Sequence, residues 1–243
     1  MVVSKGPHLF DVRGEPMAPV IAIRDERAIE IKWETGLGLP AVSWRSGDVE
    51  VHCWWTDELH IELALGEHRP DLPAGYRIDM GWLGVFRIQA SGRRGPMRRW
   101  SRSVAIPTLS CSFDGGDSAW TGGGDPGEGL DAQTWMAHDV HVSIGTEDAD
   151  FMCACAREGS TLPASWEHEL CAHFEQPGSA DRERYPVQYL DHGLALQLPH
   201  LPRGGYCEVH LASSVAHAQS ESDIATWWAV DLAPRRSGPA WAR

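Results

Sequence analysis

Long apolar runs are missing from this 243-residue chain. None approaches the roughly 20 consecutive apolar residues that a membrane-spanning helix needs, so no membrane partner is expected. Met1 to Phe10 hold one lysine and no apolar central segment, which is not the form of a secretory signal, and the expected compartment is the cytoplasm. Positive charge is also scarce. Lys and Arg number 21 against 34 Asp and Glu, for a net charge of −13, and protonating all 12 His would only bring the balance near neutral. Phosphate backbones require a basic footprint, so no nucleic-acid partner is expected. Several catalytic signatures are absent as well: Gly-x-Ser-x-Gly, the phosphate-loop lysine motif, and Gly-x-Gly-x-x-Gly between a strand and a helix. Nucleotide enzymes of the usual kinds and serine-triad hydrolases are thereby disfavoured.

Cysteine is modest at six residues. Cys53, Cys153, Cys155 and Cys207 fall on apolar strand positions, where a reduced thiol behaves as a small hydrophobe. Cys153 and Cys155 would share one strand face, an arrangement open to a soft metal. The second ligand pair that such a site needs is lacking, so reduced core thiols are expected.

What the sequence does have is a period of two. In Ala28 to Glu34, Ile29, Ile31 and Trp33 oppose Glu30, Lys32 and Glu34, and Val20 to Arg24 just before it reads as the other arm of a hairpin. Asp48 to Trp55 and Leu59 to Leu65 alternate in the same way. Further strands are predicted at 85–90, 103–113, 134–144, 151–157, 165–174, 187–198, 206–213 and 226–232. A short helix is conceivable within 211–225, and 165–173 could be helical instead of extended. The expectation is a single all-β domain over 1–243, an antiparallel β-sandwich or cupped barrel of about a dozen strands with little helix. Residues 114–131, rich in Gly and Asp, read as one long loop. It could serve as a lid, as a plain connection, or as a wrap for calcium.

Three acid–Val–His tripeptides stand on strands: Glu50-Val51-His52, Asp139-Val140-His141 and Glu208-Val209-His210. Positions i and i+2 of a strand face the same way, so each acid shares a face with its histidine. If Asp48–Leu65 forms a hairpin through Thr56-Asp57-Glu58, Trp54 lies opposite His60 and His52 opposite Glu62. Glu50, His52, Trp54, His60 and Glu62 then form one polar patch, with Asp139–His141 and Glu208–His210 available to join it. A carboxylate beside a histidine fixes its tautomer and favours its charged form, which is how many general bases are prepared. The same patch is also compatible with an ordinary solvated sheet face.

Twelve tryptophans are a surplus for this length. Trp33, Trp44 and Trp55 fit apolar strand faces, whereas Trp120 and Trp135 flank glycine-rich sequence and could bind a ligand. Arg93, Arg94, Arg98, Arg99 and Arg102 form a cluster that could anchor an anion, with Arg98 and Arg99 at its centre, or simply be a solvated connection. These features suggest a small-molecule-binding β protein doing cofactor-free acid–base chemistry of the isomerase, cyclase or dehydratase (lyase) type. His52 and His60 would be the acid–base pair, Glu50 and Glu62 the orienting carboxylates, and Trp54, Arg98, Arg99, Trp120 and Trp135 the binding groups. Two alternatives are a non-catalytic interaction or homo-oligomeric assembly protein using exposed tryptophans, and a transition-metal enzyme with His52, His60, His141 and His210 as ligands.

Overall fold

The computed structural model describes residues 2–3, 9–10, 16–17, 20–24, 30–36, 39–56, 79–92, 102–106, 108–113, 118–124, 130–137, 139–175, 186–218, 225–227 and 229–230. The first strands are β1 (Val2–Val3), β2 (Leu9–Phe10), β3 (Pro16–Met17), β4 (Val20–Arg24), β5 (Glu30–Gly36), β6 (Leu39–Ser46) and β7 (Val49–Thr56). Next come β8 (Met80–Ala90), β9 (Ser103–Val104), β10 (Thr108–Ser112), β11 (Ala119–Gly124), β12 (Leu130–Ala137) and β13 (Val140–Glu147). Helices α1 (Ala149–Glu158) and α2 (Glu167–Glu175) follow, with a 3-10 turn at Ala164–Trp166 between them. The last strands are β14 (Val187–Leu190), β15 (Gly193–Leu196), β16 (Leu201–Pro202) and β17 (Tyr206–His217), and residues 225–227 and 229–230 are helical.

An eight-stranded antiparallel sheet runs β11-β12-β13-β17-β8-β7-β6-β5, and a five-stranded sheet runs β1-β4-β10-β15-β14. The all-β expectation holds, in its sandwich form, since neither sheet closes into a barrel. Among the described residues no helix is long and apolar enough to cross a membrane.

The core lies on one face of the large sheet. Val51, Cys53, Phe86, Ile88, Val209, Leu211, Val142 and Ile144 are buried there with Leu109, Cys111, Leu194 and Leu196 of the small sheet. Met152, Cys155 and Ala156 of α1, with Trp166 and Leu170, complete it. Removing such area from water supplies the main driving force, at about 25 cal/mol per Å². The opposite face carries a second, smaller cluster of Leu83, Val85, Leu130, Ala132 and Ala212 beneath Val230 and Trp227 of the 225–230 segment.

Several local expectations change. Residues 151–157 form helix α1, not a strand, because Asp148 caps its start through Asp150 N and Gly159, at φ 64°, closes its end. The spacing of two between Phe151, Cys153 and Cys155 is coincidental, since Met152 between them is itself a buried core residue. On a helix Cys153 and Cys155 diverge by about 200° and cannot share a face. Cys153 is bonded to Cys171 of α2 as a disulfide, which corrects the expectation of a reduced thiol, while Cys53, Cys111, Cys155 and Cys207 are free and buried. Burial pushes the Cys111 thiol up to about 12 and raises those of Cys53, Cys155 and Cys207 as well.

Residues 167–175 are helical, as are the described residues of 225–230, which had been expected to form a strand. The segment expected as one strand at 134–144 is two, β12 and β13, and 103–113 divides into β9 and β10. Val20–Arg24 and Glu30–Gly36 do not pair, since β4 belongs to the small sheet and β5 to the edge of the large one. Part of the expected 114–131 loop is edge strand β11.

Gly145 marks the place where the 225–230 segment meets the sheet. A Cβ there would stand 2.3 Å from Val230 Cγ1 and 3.0 Å from Asp131 O. Gly145→Ala is therefore expected to lower stability by about 1–3 kcal/mol in urea unfolding. Adding Val230→Ala should restore part of that loss, and a double variant no more stable than the single one would contradict the contact.

Candidate functional site

Register brings the acid–His pairs together. Across the large sheet, Ser43 pairs with His52, His52 with Arg87, and Arg87 with Glu208. One row away, Arg45 pairs with Glu50, Glu50 with Gln89, and Gln89 with Tyr206. On the other side of the His52 row, Trp54 pairs with Val85 and Val85 with His210. The alignment of Thr146 with Leu211 puts Glu147 beside His210 in turn. All these residues lie on the face opposite the main core. Two of the three acid–Val–His tripeptides therefore share one patch.

The second arm of the hairpin expected to complete that patch, 59–65, lies outside the described residues, and β7 does not pair with it. Both edges of β7 are occupied, by β6 and by β8, so His52 sits between Ser43 and Arg87 and not opposite Glu62. Glu62, His60, Arg98 and Arg99 lie outside the described residues, and Trp54 is placed by its backbone register alone. Trp135 is a core residue, 2% exposed and edge-on to Phe113, which removes it from any binding surface. Trp120 is 62% exposed on β11, its indole Nε1–H donating to Gln133 Oε1.

The set of histidines considered for a metal is dispersed. His141 stands six residues along β13 from Glu147, roughly 20 Å at strand rise, and His52 is two strands from His210, about 10 Å. Among the described residues no group of three His, Cys, Asp or Glu side chains gathers closely enough to hold a metal ion.

The patch has a gradient of burial. At its outer end Arg45 Nη2 donates to Glu50 Oε2 at 2.7 Å, and His52 Nε2 lies 3.8 Å from Glu50 Oε1. In the middle, the Arg87 guanidinium lies 4.1 Å above the Tyr206 ring, a cation–π contact, and 3.9 Å from Glu208 Oε1. At the inner end Glu147 is only 2% exposed. Its Oε1 accepts both the backbone N–H of His210, at 2.7 Å, and the ring Nδ1–H, at 2.6 Å. A carboxylate can only accept, so the proton must reside on Nδ1. The other ring nitrogen, Nε2, has no hydrogen-bond partner among the described residues. Glu147 Oε2 is buried and has no hydrogen-bond partner among the described residues.

These surroundings shift two groups. Burial disfavours the His210 imidazolium, but the Glu147 charge and hydrogen bond, helped by Glu208, outweigh it and raise the pKa above the ordinary value. Burial raises the Glu208 carboxyl, and the neighbouring Arg87 and His210 offset that only in part.

Glu147 was not identifiable as a site residue from sequence alone. It closes β13 just before the acidic start of α1, and its partner is 63 residues away. No family model matches the chain, and no curated protein or solved structure matches it either.

A histidine whose pKa is raised by folding stabilises the protein below the ordinary imidazole pKa. That contribution is lost as pH rises through the raised value. The urea midpoint of the wild type should therefore fall across this window more steeply than that of His210→Asn. Parallel pH profiles would show that His210 and Glu147 do not form the pair.

Proposed function

We propose that the polar face of the large sheet is an acid–base site for a small molecule, with His210 as the proton-transfer group. The reading keeps the chemistry expected from the acid–Val–His pattern but moves the base from His52 to His210. One observation carries it: a buried carboxylate holds Nδ1 of an imidazole and leaves Nε2, on a polar face, without a partner among the described residues. Glu147 is the orienting group, fixing tautomer and ring plane and stabilising the imidazolium once a proton is taken. Glu208, two residues along the same strand face and with its pKa raised by burial, is suited to return a proton. Arg87 and His52 border the patch and would orient polar groups of the bound molecule.

A second reading rests on Trp120. A large ring 62% exposed on an edge strand is a natural anchor for a protein partner or for another copy of the chain. Size-exclusion profiles that change with Trp120→Ala would favour it.

The direct test is solvent-deuterium incorporation into a panel of small carbonyl compounds and amines, followed by NMR. An exchange found with the wild type should fall roughly 10²–10⁴-fold in His210→Asn, as expected for loss of a general base. Thermal unfolding of that variant at high pH should change little. Exchange that survives in His210→Asn removes His210 from the chemistry.

A further inference from the structure

The inner and outer ends of the polar face differ in how their charges are balanced. Arg45 answers Glu50 in a 2.7 Å ion pair, and Arg87 stands beside Glu208. Glu147 is different. Among the described residues its only ionic partner is His210, which occupies one carboxylate oxygen, while the second oxygen is buried without a donor. Its flanks are apolar: Leu130 pairs with it across β12, Val85 lies beyond His210, and Val230 packs over Gly145 two residues along β13. The described residues of the 225–230 segment, Ala225, Thr226, Trp227, Ala229 and Val230, carry no charge.

A buried acceptor without a donor is costly, the more so when it is charged. Such an atom in a native protein calls for an explanation. With a neutral His210, the charged groups facing this point among the described residues are two carboxylates, Glu147 and Glu208, against one guanidinium, Arg87; Glu50 is already matched by Arg45, and His52 lies between them and Arg87. The surplus is negative, and the chain as a whole carries −13. Cys155 of α1 is close enough to Glu147 to feel its charge, but its thiol is kept protonated by burial and adds none.

On the proposed acid–base reading of this same site, we infer that its ligand is a small organic cation bearing N–H donors, an ammonium or amidinium group, with one N–H donating to Glu147 Oε2. The ligand's charge replaces the one that His210 lacks in its neutral form, and an N–H donor satisfies the Glu147 oxygen that no donor among the described residues reaches. An anion would meet two carboxylates with a single arginine between them. Protonating His210 supplies the same positive charge from inside the protein, so ligand and proton compete for Glu147.

Propylammonium and propionate, matched in size and opposite in charge, make the test. Titrations of ¹⁵N-labelled protein follow the His210 ring and neighbouring amides. Propylammonium should give a saturable shift at His210, and propionate at the same concentrations none. Its affinity should rise with pH through the His210 titration, and Glu147→Gln should weaken it roughly tenfold or more. Saturable binding of propionate instead, of both probes, or of neither would overturn the cation assignment, as would propylammonium binding that Glu147→Gln leaves intact. A shift that never saturates and spreads over the acidic surface would also overturn it. The acid–base reading fails separately, through the deuterium exchange of His210→Asn, so the two outcomes are distinguishable.

Discussion

Strand alternation under a buried sheet face governs everything else in this molecule. Once Val51, Cys53, Phe86, Ile88, Val209 and Leu211 are committed to the space between the two sheets, Glu50, His52, Arg87, Glu208 and His210 must emerge on the other side. A slip of one residue in any of β7, β8 or β17 would drive charged side chains into the core and expose its apolar ones. The apolar face thus holds the polar groups in register at no further cost.

That constraint is also what could be seen in the sequence. The alternation of 49–55 and of 206–213 is strong, so both strands and the shared face of each acid and histidine were legible. Partners were not. The neighbour of β7 is β8, beyond residues 57–78, whereas a local hairpin through Thr56-Asp57-Glu58 satisfies the same parity rule with a shorter loop. Strand β6 was missed because Gly36, Gly38 and Pro40 look like punctuation, although Pro40 lies in a ladder near the sheet edge. Helix α1 had capping signals at Asp148 and Gly159, but three apolar residues at a spacing of two outweighed them. Trp135 shows the limit of local context, since the glycine-rich sequence it flanks suggested a ligand-binding ring while β12 turns it inward against Phe113.

The candidate site was half visible for the same reason. Glu50, His52, Glu208 and His210 follow from strand parity. Glu147 does not, because only the pairing of β13 with β17 places it against His210. Its position at a strand terminus, where α1 begins, also explains why it can be so deeply buried. Core contacts of α1 and the Cys153–Cys171 bond to α2 fix the chain just beyond Glu147, and the backbone N–H of Glu208 donates to Thr161 O in the connection between the two helices.

The double acceptance by Glu147 Oε1 has a mechanical consequence. One oxygen receives the main-chain N–H of His210 as well as its ring Nδ1–H. The imidazole is thereby tied to the strand ladder as a bracket is tied to a beam. A ring flip would break the hydrogen bond that aligns ring and backbone, so His210 cannot carry a proton by swinging between two positions, as histidine shuttles elsewhere do. Any proton reaching Nε2 has to be brought to it, and whatever brings it must come to a fixed point in the sheet.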